Sequence, residues 1–174
     1  MNVLSLLKNK QKRKLTRHEK FVLVIVLCAV LVGTTLPGRL IVSTSPSLNH
    51  RIFFIMSATH LKTGDTVVFR HKITEPKLIK KTLNPNKDQF IKKIGCASGQ
   101  TLRRVDKMFY CESNWLVEVL AKDSKGDVLP QFKFAGVVPA NNYFMVGDNP
   151  RSYDSRYFGY VHADEILYKA LPIW

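Results

Sequence analysis

FIKKIG, Phe90 to Gly95, alternates apolar and basic side chains with the two-residue period of a β-strand. That period puts Phe90, Lys92 and Ile94 on one face and Ile91, Lys93 and Gly95 on the other. Lys92 therefore shares a face with two large apolar side chains. Desolvation there disfavours the ammonium form and lowers the pKa, the condition for a lysine acting as a general base near neutral pH. A lysine that snorkels to solvent from a half-buried strand satisfies the same pattern. Residues 66–70, 115–120 and 143–146 are likewise short and rich in branched and aromatic side chains. KTGD (62–65), SGQ (98–100), DSKGD (123–127) and ANN (140–142) separate these runs with turn-forming residues. After residue 40 no segment repeats apolar residues at i, i+3, i+4 and i+7, so helices are expected to be few. HADEIL, 162–167, is long enough for one turn. Residues 71–88 hold two prolines and several lysines, which suits an exposed excursion. No internal repeat or low-complexity tract occurs. The reading is a mainly β chain.

Upstream lies FVLVIVLCAVLVGTTL, Phe21 to Leu36, sixteen residues without a charge. A membrane span usually needs about 20. A cleaved signal peptide is the alternative, but the run ends in Leu36-Pro37-Gly38-Arg39 rather than a small-residue cleavage pattern. Leu40, Ile41 and Val42 add interfacial apolar contact. The sequence thus divides into a basic segment 1–20, a transmembrane anchor 21–40 and a β domain 41–174. Seven of the 27 basic residues fall in the first twenty positions. By the positive-inside rule that segment stays in the cytoplasm and the rest crosses, in a bacterium to the periplasm or exterior.

The formal charge is +14, which raises nucleic acid as a partner. The remaining basic residues are dispersed among aromatic and branched ones and form no nucleic-acid motif. Cys28 lies in the apolar run. Cys96 and Cys111, fifteen positions apart, read either as one disulfide, which an extracytoplasmic compartment preserves, or as free thiols. Neither CxxC nor HxxxH spacing accompanies them, so no metal is expected.

Two further stretches are chemically dense. IVSTSPSLNHRIFF, 41–54, places four hydroxyls in five positions; it reads as a juxtamembrane linker or as a source of a nucleophile. GDNPRSYDSRYFGYV, 147–161, interleaves acids, amides, serines and arginines with four aromatic residues. A solvated turn accounts for the polarity but not for the aromatics.

Gly147-Asp148-Asn149, then Ser152-Tyr153-Asp154-Ser155-Arg156, then Tyr157-Phe158-Gly159, resembles the C-terminal signature of the type I signal peptidases (S26). The Ser-x-Ser after an N-terminal anchor and the Ile-Lys-basic strand stand at that family's other two positions, in the right order. The resemblance spans about residues 20 to 174. Within the family the chain looks most like the short, single-anchor branch encoded with conjugative transfer systems, the TraF-type peptidases that mature pilin subunits. Ser45-Pro46-Ser47, the following segment to Ile52-Phe53, and Pro172-Ile173-Trp174 are similar to that branch.

The resemblance implies an antiparallel β catalytic domain in the periplasm, anchored in the inner membrane by one helix. It implies Ser47 as nucleophile, Lys92 as general base, Ser45 as oxyanion donor beside the Ser47 N–H, and Ser152 as the group that orients the lysine. A seryl hydroxyl needs a neighbouring base, and neutral lysine can serve. Lys93, Asp148, Asp154 and Arg156 would pair as structural support. The substrate would be a secreted precursor or propilin, with no cofactor, and water or a peptide amine would resolve the acyl-enzyme, the latter giving a cyclic pilin. The chain departs from the commoner pattern at Leu48 and Asn49, at the two-residue spacer Pro150-Arg151, and at Gln100, where an acid is usual. Ser45 as nucleophile, a catalytically inactive component of a conjugation or secretion apparatus, and a nucleic-acid-binding accessory protein are the competing readings. The sequence carries no signal for oligomeric state.

Overall fold

The computed structural model describes residues 15–35, 37–71 and 89–174. Residues 1–14, within the basic segment, and 72–88, within the expected excursion, lie outside the described residues. Contacts divide the chain into two compact units, Met1–Gly38 and Arg39–Trp174.

In the first unit, α1 (Arg17–Thr35) opens with a capping box. The Glu19 N–H donates to Thr16 Oγ1 at 3.3 Å, and Glu19 Oε2 accepts from the Thr16 N–H at 2.8 Å. No helix among the described residues is long and apolar enough to cross a membrane. The reason is visible in α1: Arg17, His18, Glu19 and Lys20 occupy its first turn, and the remaining fifteen residues rise only about 22 Å at 1.5 Å each, against about 30 Å of hydrocarbon.

The second unit is mainly β. Among the described residues its strands are β1 (Leu40–Val42), β2 (Ile52–Ser57), β3 (Thr66–Phe69), β4 (Phe90–Cys96), β5 (Thr101–Val105), β6 (Met108–Cys111), β7 (Asn114–Glu118), β8 (Gly136–Val137), β9 (Asn142–Val146), β10 (Val161–His162) and β11 (Ile166–Pro172). A seven-stranded antiparallel sheet runs β1-β2-β11-β3-β4-β9-β10, and a four-stranded one runs β7-β6-β5-β8. Several of these strands are not marked in the sequence. β5 carries two adjacent arginines, β11 ends in proline, and β1 consists of the residues read as anchor flank. Each acquires its ladder from distant partners, β11 between β2 and β3 and β1 against β2.

β3 is buried at every position, as expected of a strand covered on both faces. Val68 and Ile91 pack with Leu48, Phe53, Ile55 and Ala170, while Val67 and Ile94 pack with Phe69, Met145, Val161 and Ile166. A third cluster, around Leu102, Phe109, Val119 and Phe144, lies with the four-stranded sheet. Cys96 on β4 and Cys111 on β6 are disulfide-bonded, which ties the two sheets together. Residues 162–167 divide between functions: a 3-10 turn, Ala163–Glu165, capped by His162, and the start of β11.

Candidate active site

β4 sets Lys92 opposite Val67 in the sheet, where the residue is only 3% exposed. Burial strips water from the ammonium and moves its pKa from 10.5 down to about 8. The Asp154 carboxylate pulls it back up and the Arg156 guanidinium pushes it further down. Lys93, one residue on, pairs with Val146 of β9, and β9 runs directly into Gly147. The strand register therefore brings the 147–161 stretch alongside Lys92.

That stretch wraps around Arg156, which is fully buried. Its guanidinium donates to Asp154 Oδ1 and Oδ2 at 2.7 and 2.8 Å. Further donations reach the carbonyls of Glu118 at 2.7 Å, Pro150 at 3.0 Å and Ser152 at 2.9 Å. Five guanidinium donors facing a carboxylate and several carbonyls leave the charge compensated, which a buried cation requires. Asp154 in turn caps α2 (Ser155–Phe158) and accepts the Gly147 N–H at 2.9 Å. The Ser155 hydroxyl accepts the Met145 N–H at 2.8 Å. The interleaved aromatics have a packing role as well: Tyr157 belongs to the core beside the four-stranded sheet, and Phe158 packs on the core around Val67 and Ile94. One turn of helix thus spans two cores.

Gly147 brings two of the hydroxyl residues together. A Cβ there would lie 2.6 Å from Ser152 Cβ and 2.8 Å from the Ser47 carbonyl oxygen; only glycine allows this approach. Ser47 is buried and Ser45 exposed, and the Ser45 hydroxyl donates to Ser47 Oγ at 3.1 Å. Ser43 is also buried and donates its hydroxyl to the Ser45 carbonyl at 3.0 Å; as one of four hydroxyls in five positions it carries no signal in the sequence that sets it apart. Among the described residues no hydrogen bond joins Lys92 to Ser47 or Ser152, and Ser152 Oγ is buried without a partner. Lys93 pairs with Asp148 at 2.6 Å. Gln100 accepts the Ala97 N–H at 2.8 Å and the Thr63 hydroxyl, so it closes a loop without needing charge.

A cavity of about 220 Å³ adjoins this group, lined among others by Leu48, Phe53, Thr66, Lys93 and Ala170. No cluster of His, Cys, Asp and Glu among the described residues could hold a metal ion. The assembly offers a hydroxyl beside a second hydroxyl, a buried amine that is half neutral near pH 8, and a fixed polar scaffold. These are the parts of an acyl-transfer site.

Residues 15–174 match the family model described as signal peptidase, peptidase S26. A 43-residue segment is 51% identical to the signal peptidase I of Buchnera aphidicola subsp. Schizaphis graminum (strain Sg). Over the same length the identity to that of Buchnera aphidicola subsp. Acyrthosiphon pisum (strain APS) is 46%. In both cases the match spans 24% of this chain and 14% of the relative. A signal peptidase I crystal structure from Enterococcus faecalis V583 is 26% identical, with a TM-score of 0.39, over 63% of this chain and 96% of that one.

Proposed function

This chain belongs to the signal peptidase family, peptidase S26, and from that membership we propose that it is a membrane-anchored serine endopeptidase in which Ser47 is the nucleophile and Lys92 the general base. The observation that carries the reading is the buried Lys92, with its pKa near 8, in register with the segment whose Gly147 touches both Ser152 and the Ser47 backbone. In the reaction, neutral Lys92 takes the Ser47 proton and Oγ bonds to a peptide carbonyl carbon. The oxyanion so formed is stabilised by the Ser47 N–H and by the Ser45 hydroxyl once it turns from Ser47 Oγ. Collapse breaks the C–N bond, the leaving amine takes the proton from Lys92, and an acyl-enzyme remains. Water then releases an acid, or a peptide amine releases a new amide. In this mechanism the Ser152 hydroxyl, buried without a partner among the described residues, turns to the lysine and orients it, and Asp148, Lys93, Asp154 and Arg156 hold the loops in place.

The substrate in this proposal is a secreted or pilin precursor in conjugative transfer, presented to the periplasmic face of the bacterial inner membrane. Support comes from Ser45-Pro46-Ser47 and Pro172-Ile173-Trp174, which are similar to the TraF-type branch, and from α1. Phe21 to Leu27, Val30 and Leu31 are each 51–66% exposed around the whole helix, a distribution suited to lipid. Its short apolar span is accommodated by Arg17 and Lys20 snorkelling and by local thinning of the bilayer.

Mass spectrometry of a propilin precursor incubated with detergent-solubilised wild type, Ser47→Ala and Lys92→Ala tests the assignment. A shortened product is expected with wild type alone, and a further loss of one water mass identifies cyclisation. Product from Ser47→Ala moves the nucleophile elsewhere. Conjugative transfer that survives both substitutions gives the chain a structural role instead.

A further inference from the structure

The loop that carries Ser47 has no regular structure of its own, so something must fix the direction of its peptide planes. Asn149 does this from 103 residues away: its Nδ2 donates to the Pro46 carbonyl at 3.0 Å. Its backbone N–H donates to the Ser47 carbonyl at 3.2 Å, and its Oδ1 accepts the Arg151 N–H at 2.8 Å. That last bond sets the amide's orientation, because the oxygen must face the Arg151 N–H and so leaves the NH₂ for Pro46. Asp148 adds a third contact to the loop, accepting the Asn49 N–H at 3.0 Å. The loop is thus held on both sides of Ser47.

The Pro46 carbonyl and the Ser47 N–H belong to one planar trans peptide and point in opposite directions. Holding the carbonyl therefore aims the N–H. We propose that Asn149 is a positioning residue for the oxyanion site: its side-chain amide pins the Pro46 carbonyl and thereby points the Ser47 N–H at the position where the substrate oxyanion forms. The inference rests on the assignment of Ser47 as nucleophile. Losing one oxyanion donor typically costs about 10²–10³ in kcat, and the misaimed N–H counts as a lost donor.

Asn149→Asp retains the acceptor for Arg151 and sets a carboxylate oxygen against the Pro46 carbonyl, which repels it. Asn149→Ala leaves that carbonyl to water. The full chain in detergent is assayed on a synthetic peptide with alanines before the scissile bond, with active sites counted by burst titration and a thermal melt for each variant. Two inhibitors of the same peptide sequence separate binding from oxyanion formation: a C-terminal aldehyde, which forms an oxyanion on Ser47, and the corresponding alcohol, which does not. Asn149→Asp is expected to lower kcat about 100-fold and Asn149→Ala about 10-fold, with KM changed less than about twofold. Aldehyde affinity should fall in parallel while alcohol affinity and the Lys92 inflection stay in place. Wild-type kcat per active site in both variants, or equal loss of aldehyde and alcohol affinity, overturns the proposal provided Ser47→Ala is inactive. If Ser47→Ala remains active, the nucleophile assignment itself fails and this inference falls with it. Should Asn149→Asp fail to fold, Asn149→Ala is read by the same criteria.

Discussion

At Lys92 the native chain holds an amine that gives up its proton near pH 8 rather than 10.5. Below pH 8 the folded state must carry a poorly solvated charge that the unfolded state carries easily, at a cost of about 3 kcal/mol. Between 8 and 10.5 the unfolded chain binds the extra proton, so this contribution raises stability with pH and is complete above 10.5. Lys92→Met is therefore expected to be inactive and more stable at pH 7 by roughly that amount. Paired urea melts at several pH values check it: the difference from wild type should shrink as pH rises and vanish by about 10.5. For activity the sign is the same. In the proposed mechanism Lys92 must be neutral to act as base, so kcat/KM of the wild type should rise about tenfold per unit toward an inflection near pH 8 and level off above it. An inflection unmoved from an ordinary lysine value would remove Lys92 from the base role. The alternation in FIKKIG admitted either a desolvated lysine or one that snorkels to solvent, and the burial of Lys92 decided for the first; the opposing pulls of Asp154 and Arg156 were not legible, since both residues lie on a segment more than fifty positions away.

Within elements, α2 shows how much a single turn can carry when its cap is also an ion-pair partner. Asp154 closes the helix N-terminus, holds the Gly147 N–H and neutralises Arg156. Asp154→Asn keeps the shape and removes the charge, which leaves a buried guanidinium uncompensated, so stability is expected to drop by about 3–5 kcal/mol. Denaturant unfolding with an unchanged m-value would measure it; a loss below 1 kcal/mol would mean that the carbonyls of Glu118, Pro150 and Ser152 suffice on their own. The polar composition of this stretch and its aromatic partners were legible in the sequence. The helix was not, because it has only four residues and so no periodicity to read. Strands β3, β4, β7 and β9 were legible from branched and aromatic runs. β5 and β11 were not, because their stability comes from cross-strand neighbours rather than from their own alternation.

For the whole molecule, the division at Gly38 and Arg39 predicts that a fragment of residues 39–174 folds without α1. It should melt cooperatively with the Cys96–Cys111 bond formed and remain in the supernatant. The full chain, by the anchoring proposal, should stay in the membrane pellet after alkaline carbonate washing. Release of the full chain by carbonate would demote α1 from anchor to surface helix.

The sequence by itself determined the β character of the chain, the apolar run before it, and the three short motifs in which hydroxyls, a lysine and an Asp/Arg set recur in order. These are local properties, set by side-chain periodicity and by residue type. Tertiary structure alone decided that β11 enters between β2 and β3. It alone gathered the carbonyls of Glu118, Pro150 and Ser152 around Arg156, and it placed Asn149 on the carbonyl before Ser47. Asn149 and Pro46 are 103 positions apart, Glu118 and Arg156 are 38 apart, and β11 pairs with a strand from the other end of the domain, so no short window along the chain contains both partners; only the sheet order, fixed by burying both faces of β3 and β4, brings them within hydrogen-bonding distance.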